Sequence, residues 1–280
     1  MVNFLVRLNL ILLVGVSLQA SAIEKFLELY GERRESAANS YYDEIDGNES
    51  GHDLFLSLSN LVKKNHKTNG YGQARSLLYN KVDNHKGAVS TLYSGLMIPG
   101  SGMKYLERGD QNQDGFPGDF VNCEHVWPQS KFNKALPMRA DMHHLYPTLA
   151  MPNNKRGSYP FGMVDNPIYQ TSFGSKLGYG KYEPADQAKG NVARAVLYFF
   201  TRYHRNNIFK KTSPESFFTT RLKMLMRWHQ EDAVDIWESK RNDEIFKAQG
   251  NRNPFIDHPE FVERIGQEGF LAAVQSLRTR

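Results

Sequence analysis

The chain has 280 residues, a formal charge of +5 at pH 7, and 40% hydrophobic residues. That length allows one large domain or two small ones around a sizeable core, and the mild basic excess suits a polyanionic partner without requiring one. The single cysteine, Cys123, excludes an intrachain disulfide, so the fold must be held by its core, which is expected to shield the thiol.

Residues 1–22 read as a cleaved secretory signal. Arg7 supplies the basic start, residues 8–16 an apolar run broken only by Asn9, and Ala20-Ser21-Ala22 an A-x-A site. The run is short for a spanning helix, and no later segment is apolar enough for one. The mature chain, 23–280, then reads as a single domain. Helical spacing marks 23–30 and 53–64, the latter with Leu54, Phe55, Leu58, Leu61 and Val62 on one face. Gly70-Tyr71-Gly72 interrupts the pattern, and another helix is expected over 73–79. Residues 89–97 read as a strand ending at Pro99-Gly100. Residues 100–119, rich in Gly and Asp, read as a long loop. A second strand is expected over 120–127, stopped by Pro128. Pro152 suits the first turn of a short helix, 152–156, which Gly157 and Pro160 end. From Asp186 the chain is mainly helical. Residues 192–203 are strongly apolar, 216–229 and 233–247 are amphipathic, and Trp237, Arg241 and Ile245 recur four apart. The expected fold class is α+β and predominantly helical: a small strand–strand–helix core, within about residues 85–165, wrapped by helices from both ends.

The chemistry concentrates in Cys123-Glu124-His125-Val126-Trp127-Pro128-Gln129-Ser130. His143-His144-Leu145-Tyr146-Pro147 and Asn153-Asn154-Lys155-Arg156-Gly157 follow. These supply a carboxylate, an imidazole, an amide oxygen and a guanidinium within ~30 residues, the set that holds a hard metal ion and activates water. In phosphodiester hydrolysis a water loses a proton as it attacks phosphorus. The charge on the phosphoryl oxygens must be met, and the leaving 3′ oxygen must be stabilised. His125 is the best general base, because its ordinary pKa lies near neutrality. Glu124 is the natural anionic metal ligand and Asn153 can add a neutral oxygen. Magnesium prefers such a sparse protein set with several retained waters, and manganese or calcium can take the same oxygens. Arg156 lies one helical turn beyond Asn153 and could meet a phosphoryl oxygen, with Lys155 beside it as a further substrate contact. Adjacent strand residues face opposite sides, so Glu124 and His125 serve one site only if the strand twists or ends there.

The order of these motifs resembles the bacterial endonuclease I family, secreted or periplasmic nucleases of the ββα-metal (His-Me finger) class. In that family an E-H pair precedes V/T-W-P-Q-S, then an aspartate-led H-H-L or H-N-L, then an asparagine shortly before R-G or R-S. Glu124-His125, Val126 to Ser130, Asp141-Met142-His143-His144-Leu145, Asn153 and Arg156-Gly157 fill the pattern in order. Lys189-Gly190-Asn191-Val192-Ala193-Arg194-Ala195 resembles a further family motif. So do Trp237-Glu238, Arg241-Asn242 and the stretch from Gln249 to Phe255, and the resemblance covers residues 70–260. It implies a metal on Glu124 and Asn153, His125 activating water, and non-specific cutting of DNA and RNA to leave 5′-phosphates. It also implies export to the periplasm or beyond, and a monomer is favoured. His144 and Ser158 stand where some relatives carry Asn, and a longer insertion seen in disulfide-containing relatives is missing between the two motifs.

Arg194 interrupts an apolar helix, where a charge needs a partner. It either reaches the scissile phosphate, joining Arg156 as a catalytic and substrate-binding group, or forms a structural ion pair. Asp110, Asn112, Asp114 and Gly115 match the first half of a calcium loop, although Val121 replaces the expected glutamate. A structural calcium and a polar turn are both open readings. His143 and Trp228-His229 are expected to be structural, and His144 either orients His125 or holds the connecting loop. Tyr41, Tyr42, Tyr71, Phe132 and Tyr159 offer surfaces for stacking bases. Two rivals remain: a zinc-stabilised binding protein using Cys123, His125, His143 and His144, and a nucleic-acid binder that does not cut. There is no H-E-x-x-H or G-x-S-x-G to suggest a peptidase.

Overall fold

The computed structural model describes residues 40–107 and 120–277. The expected signal, the helix over 23–30 and the calcium-loop residues Asp110, Asn112 and Asp114 lie outside the described residues. The chain divides into two units, Met1–Asp46 and Gly47–Arg280. In the first, the described residues are 40–46, of which 40 and 41 are helical, the next three form a turn and a bend follows. The second carries all the chemistry-bearing motifs that are described.

Its first helix, α1 (Gly51–Lys64), forms as its spacing predicts, burying Leu54, Phe55, Leu58, Leu61 and Val62. Helix α2 (Tyr71–Leu77) runs on through a π-helical turn, Leu78–Val82, and so outlasts the expected helix. The expected strand over 89–97 is instead the middle of an antiparallel meander: β1 (Asn84–His85), β2 (Ala88–Ser90) and β3 (Met97–Pro99). The chain turns between them because the Thr91 hydroxyl oxygen accepts from the Leu96 N–H and Gly95 adopts φ +62. A side chain at Gly95 would also collide with the Phe173 ring. Helix α3 (Gly102–Leu106) occupies the start of the expected long loop.

Strands β4 (Val121–His125) and β5 (Leu145–Leu149) pair antiparallel, with His125 opposite Leu145 and Val121 opposite Leu149. Helix α4 (Ala150–Arg156) follows at once and stops at Gly157, φ +54. Alternation along β4 sorts its side chains. Val121 and Cys123 meet an apolar cluster that includes Leu78, Val82, Met142 and Ile245. Asn122 and Glu124 take the other face and meet Asn153 and Arg156 of α4. A second meander follows, β6 (Tyr169–Gln170), β7 (Lys176–Gly178) and β8 (Lys181–Glu183), tied back by a parallel bridge between Phe161 and Tyr182.

Helix α5 (Asp186–Tyr203) is buried along most of its length. Three successive aromatics hold three neighbours. The Tyr198 hydroxyl donates to Asp141 at 2.8 Å, Phe199 stacks on Trp127 at 5.0 Å, and Phe200 lies 5.6 Å from Phe55. The expected helix over 216–229 is divided into α6 (Pro214–Phe217), a 3-10 turn (Thr219–Arg221) and α7 (Leu222–Glu231). Arg221 donates to the Ser216 carbonyl and, at 2.9 Å, to that of Phe161, taking an acceptor that a continuous helix would use. Helix α8 (Ile236–Gln249) begins at the Asp235 cap and ends at Gly250, φ +79. Arg241 and Ile245 are buried, but Trp237, expected on the same face, is 51% exposed. Short α9 (Pro254–Asp257) leads to α10 (Phe261–Gln275), which packs on α1. No helix among the described residues is long and apolar enough to cross a membrane.

The start of β5 is fixed from α8 and the residues after it. Arg241 donates to Asp83 at 2.8 Å, to the Met142 carbonyl at 2.9 Å, and to the Leu145 carbonyl. Buried Asp141 accepts from the His143 N–H at 3.1 Å, from Gln249 at 2.8 Å, and from the Tyr198 and Tyr203 hydroxyls at 2.8 Å each. Burial opposes its ionisation, yet the surrounding histidines and the Gln249 amide prevail and hold its carboxyl below the usual range.

Candidate active site

Strand β4 ends at His125, three residues before Pro128. That ending settles the question of facing. Glu124 and His125 leave opposite sides of the strand, but at its end both border one cavity of about 340 Å³, together with Cys123, Asn153, Asn154 and Arg156.

Glu124 is 3% exposed. Its Oε1 accepts from the Tyr93 hydroxyl at 2.7 Å and lies 3.1 Å from Nη1 of Arg156. Burial pushes the carboxyl's pKa up, while Arg156, the Tyr93 bond and the His125 backbone N–H draw it back. His125 Nε2 lies 3.1 Å from the Arg139 carbonyl. A carbonyl only accepts, so Nε2 carries the proton and Nδ1 the lone pair. Burial, with the charges of His144, Arg139 and Arg156, pulls the imidazole well below its ordinary value, against the pull of the Arg139 carbonyl. It is therefore neutral at physiological pH. Asn153 donates its amide to Asn122 Oδ1 at 2.7 Å, which fixes the side chain and leaves its own carbonyl oxygen as an acceptor.

Arg156 is 1% exposed and borders the cavity. Its guanidinium donates to the carbonyls of His125 (3.0 Å) and Val126 (2.5 Å) and covers the Phe161 ring at 4.6 Å. These contacts make it a brace on the end of β4 and on Glu124. Lys155 does not line the cavity, and its ammonium lies 5.6 Å from the Tyr169 ring centre. Arg194 is not brought to Glu124. It is fully buried, pairs with both oxygens of Glu238, and donates to the Asp232 carbonyl at 2.7 Å. Of its two readings, this is the structural ion pair.

His144 donates from Nε2 to the Met138 carbonyl at 2.7 Å and places its ring 5.5 Å from that of His125. His143 Nε2 lies 3.1 Å from the Asn251 carbonyl. Both are pulled down to about 4, chiefly by burial. The Cys123 thiol is pushed far up by burial. Among the described residues no three His, Cys, Asp or Glu side chains come together to hold a metal, so the zinc reading finds no site there. The pair of oxygens on Glu124 and Asn153 does fit a hard cation that keeps most of its waters. Phe132, 2% exposed, belongs to the core, whereas Tyr159 is 44% exposed.

Two residues of this site escape local sequence reasoning. Asn122 could have been found, since it lies two before Glu124 and so shares its face. Tyr93 had no signal, because it sits in the turn mistaken for strand.

A buried carboxylate, a neutral imidazole and an oriented amide oxygen thus meet at one cavity, the group types that acid–base chemistry and a hard cation would use. A sequence model of the Endonuclease I family matches residues 50–260, and the chain belongs to that family. An extracellular ribonuclease of Bacillus amyloliquefaciens is 34% identical over 168 residues, covering 56% of this chain and 57% of that protein. A periplasmic deoxyribonuclease of Aeromonas hydrophila is 26% identical over 243 residues, covering 73% and 93%. An extracellular deoxyribonuclease of the same organism is 30% identical over 155 residues, covering 54% and 61%. The chain thus spans little more than half the length of the ribonuclease and nearly all of the periplasmic relative.

Proposed function

We propose that the protein is an exported, magnesium-dependent endonuclease that hydrolyses phosphodiester bonds of DNA and RNA with little sequence preference. The observation that carries this reading is the meeting of Glu124, His125 and Asn153 at one cavity, with His125 held as a neutral base. Relatives named as ribonuclease and as deoxyribonuclease support both substrates, and their extracellular and periplasmic names support export. The β4–β5–α4 unit is read as the ββα-metal core.

Glu124 and Asn153 would hold magnesium, which would supply Lewis-acid stabilisation of charge on the leaving 3′ oxygen; manganese or calcium could take the same oxygens. Nδ1 of His125 takes the proton of the attacking water, and the Arg139 carbonyl steadies the imidazolium that forms. Loss of the 3′ oxygen leaves a 5′-phosphate. Arg156 and Tyr93 keep the Glu124 carboxylate in place, and Asn122 does the same for Asn153.

The test is plasmid nicking and RNA degradation by the purified protein in EDTA and then in excess magnesium, beside His125→Ala. Magnesium-restored cutting by wild type, absent in the variant, is expected. Equal cutting by the two would overturn the role of His125, and no cutting by folded wild type in any divalent metal would overturn the nuclease reading.

A further inference from the structure

Beyond the cavity, the residue before Arg156 opens onto a second surface. Lys155 is exposed and sets its ammonium 5.6 Å from the centre of the half-exposed Tyr169 ring on β6. Ile168 beside it is 59% exposed. The sheet continues through β7 to a two-residue turn before β8, closed by Gly180 at φ +74. That turn carries Tyr179, 83% exposed. A tyrosine so placed buries almost nothing and adds almost nothing to the core.

Two further lysines stand beside the turn, one of them paired, since the Lys176 ammonium lies 4.0 Å from Glu183. Lys176 and Lys181 flank the turn, and the stem of Lys181 lies against Gly162, where a Cβ would stand 3.0 Å from its Cδ. Asp165 is exposed on the same stretch, while Glu183 is buried and held by Lys189 at 2.8 Å and the Val164 N–H at 2.7 Å. The surface is joined to the site through packed groups. Arg156 covers Phe161, Phe161 bridges Tyr182 of β8, and Tyr182 lies 4.9 Å from Tyr93, the residue that bonds Glu124.

We propose that Lys155, Tyr169 and Tyr179 form a platform for single-stranded nucleic acid leading away from the cavity. The inference rests on the nuclease reading and deepens it by naming the substrate as an unpaired strand. Lys155 meets a backbone phosphate near the scissile one, and the two tyrosines stack on bases beyond it. Every base has a π-face, so such rings accept any sequence, and lysines between them follow the backbone. A duplex keeps its bases stacked inside and cannot use the rings. The platform therefore favours single strands and unpaired segments of folded RNA over duplex DNA.

The test measures binding without cutting, in the His125→Ala background and without metal. Fluorescein-labelled single-stranded oligonucleotides and a duplex of the same sequence are titrated at several salt concentrations. Tyr179→Ala and Tyr169→Ala should each weaken single-strand binding by about tenfold and leave duplex binding within about twofold. Tyr179→Trp should restore it; since Tyr179 is almost wholly exposed, neither change at that position threatens the fold. Lys155→Ala should weaken both substrates and lower the salt slope for single strands by about 0.7. Unchanged single-strand affinity in both tyrosine variants would overturn the platform while leaving the nuclease reading intact. Equal loss for single strand and duplex would overturn the preference for unpaired strand. Failure of the wild type to cut is a separate result, read in the magnesium assay.

Discussion

Arg194 offers the sharpest separation of structural from catalytic duty. Glu238→Gln keeps the shape of the partner and removes its charge, leaving a guanidinium that is fully buried. Breaking one half of a buried pair costs about 3–5 kcal/mol, because the remaining charge is uncompensated. The Asp232 and His229 carbonyls still accept from Arg194, at 2.7 and 3.3 Å, so the lower end, about 3 kcal/mol, is expected. For a unit of this size that lowers Tm by roughly 6–12 °C. Urea unfolding and a thermal scan give the stability. Phosphodiester cleavage well below the transition gives kcat/KM per folded molecule, which should stay within about twofold of wild type because no catalytic group has moved. Arg194→Met should behave alike, and the double variant should recover part of the loss, since neither charge is then stranded. An Arg194→Met protein as stable as wild type but about a hundredfold slower would refute the reasoning and return Arg194 to the reacting phosphate.

The buried histidines give a pH dependence of stability. His143 and His144 titrate near 4 when folded against an ordinary 6.5, so their contribution is complete above 6.5 and is lost as pH falls toward 4. The loss amounts to about 1.4 kcal/mol per pH unit for each. Asp141, held below its ordinary 3.8, adds a further loss beneath that value. Urea midpoints across this range would check the slope, and a flat series would rule it out. Asn122→Ala releases the Asn153 amide and should weaken manganese or magnesium affinity about tenfold without loss of fold; an unchanged metal titration would remove Asn122 from the site. Gly190→Ala would drive a Cβ into the Asp232 carbonyl and the Arg194 guanidinium, so about 2 kcal/mol of destabilisation is expected in urea unfolding. The Cys123 thiol is partly buried and its pKa is raised, so it should react slowly with thiol reagents until the protein is unfolded, and rapid labelling of native protein would contradict that raised pKa.

The sequence carried the elements whose causes are local. Pro128 announced the early end of β4 that lets Glu124 and His125 share a cavity, and Pro152 with Gly157 marked α4 to within two residues. Leu54, Phe55, Leu58, Leu61 and Val62 stated their helix and its buried face. Choices of distant partner were illegible. Glu238 lies 44 residues from Arg194, and the composition of the 192–203 helix could not say whether that charge met a carboxylate or a phosphate. The apolar run over 89–97 has strand composition, but a side-chain hydroxyl and a glycine turn it, and that turn delivers Tyr93 to Glu124. The 216–229 helix broke because Arg221 captured a carbonyl, a competition that hydrophobic spacing does not register.

The clamp on the start of β5 also sets an order of assembly. Strands β4 and β5 are close in sequence, yet their junction is held by Arg241, 158 residues from its partner Asp83, and by Gln249, 108 residues from Asp141. Asn251 reaches the Val62 carbonyl across 189 residues. Contacts of such range close late in folding. A ribosome that has synthesised residues up to 165 has already made Glu124, His125, Asn153 and Arg156, but the polypeptide lacks the side chains that hold them in register. The site is therefore incomplete during synthesis, and Glu124, His125 and Asn153 come into register only after the distal helices have docked.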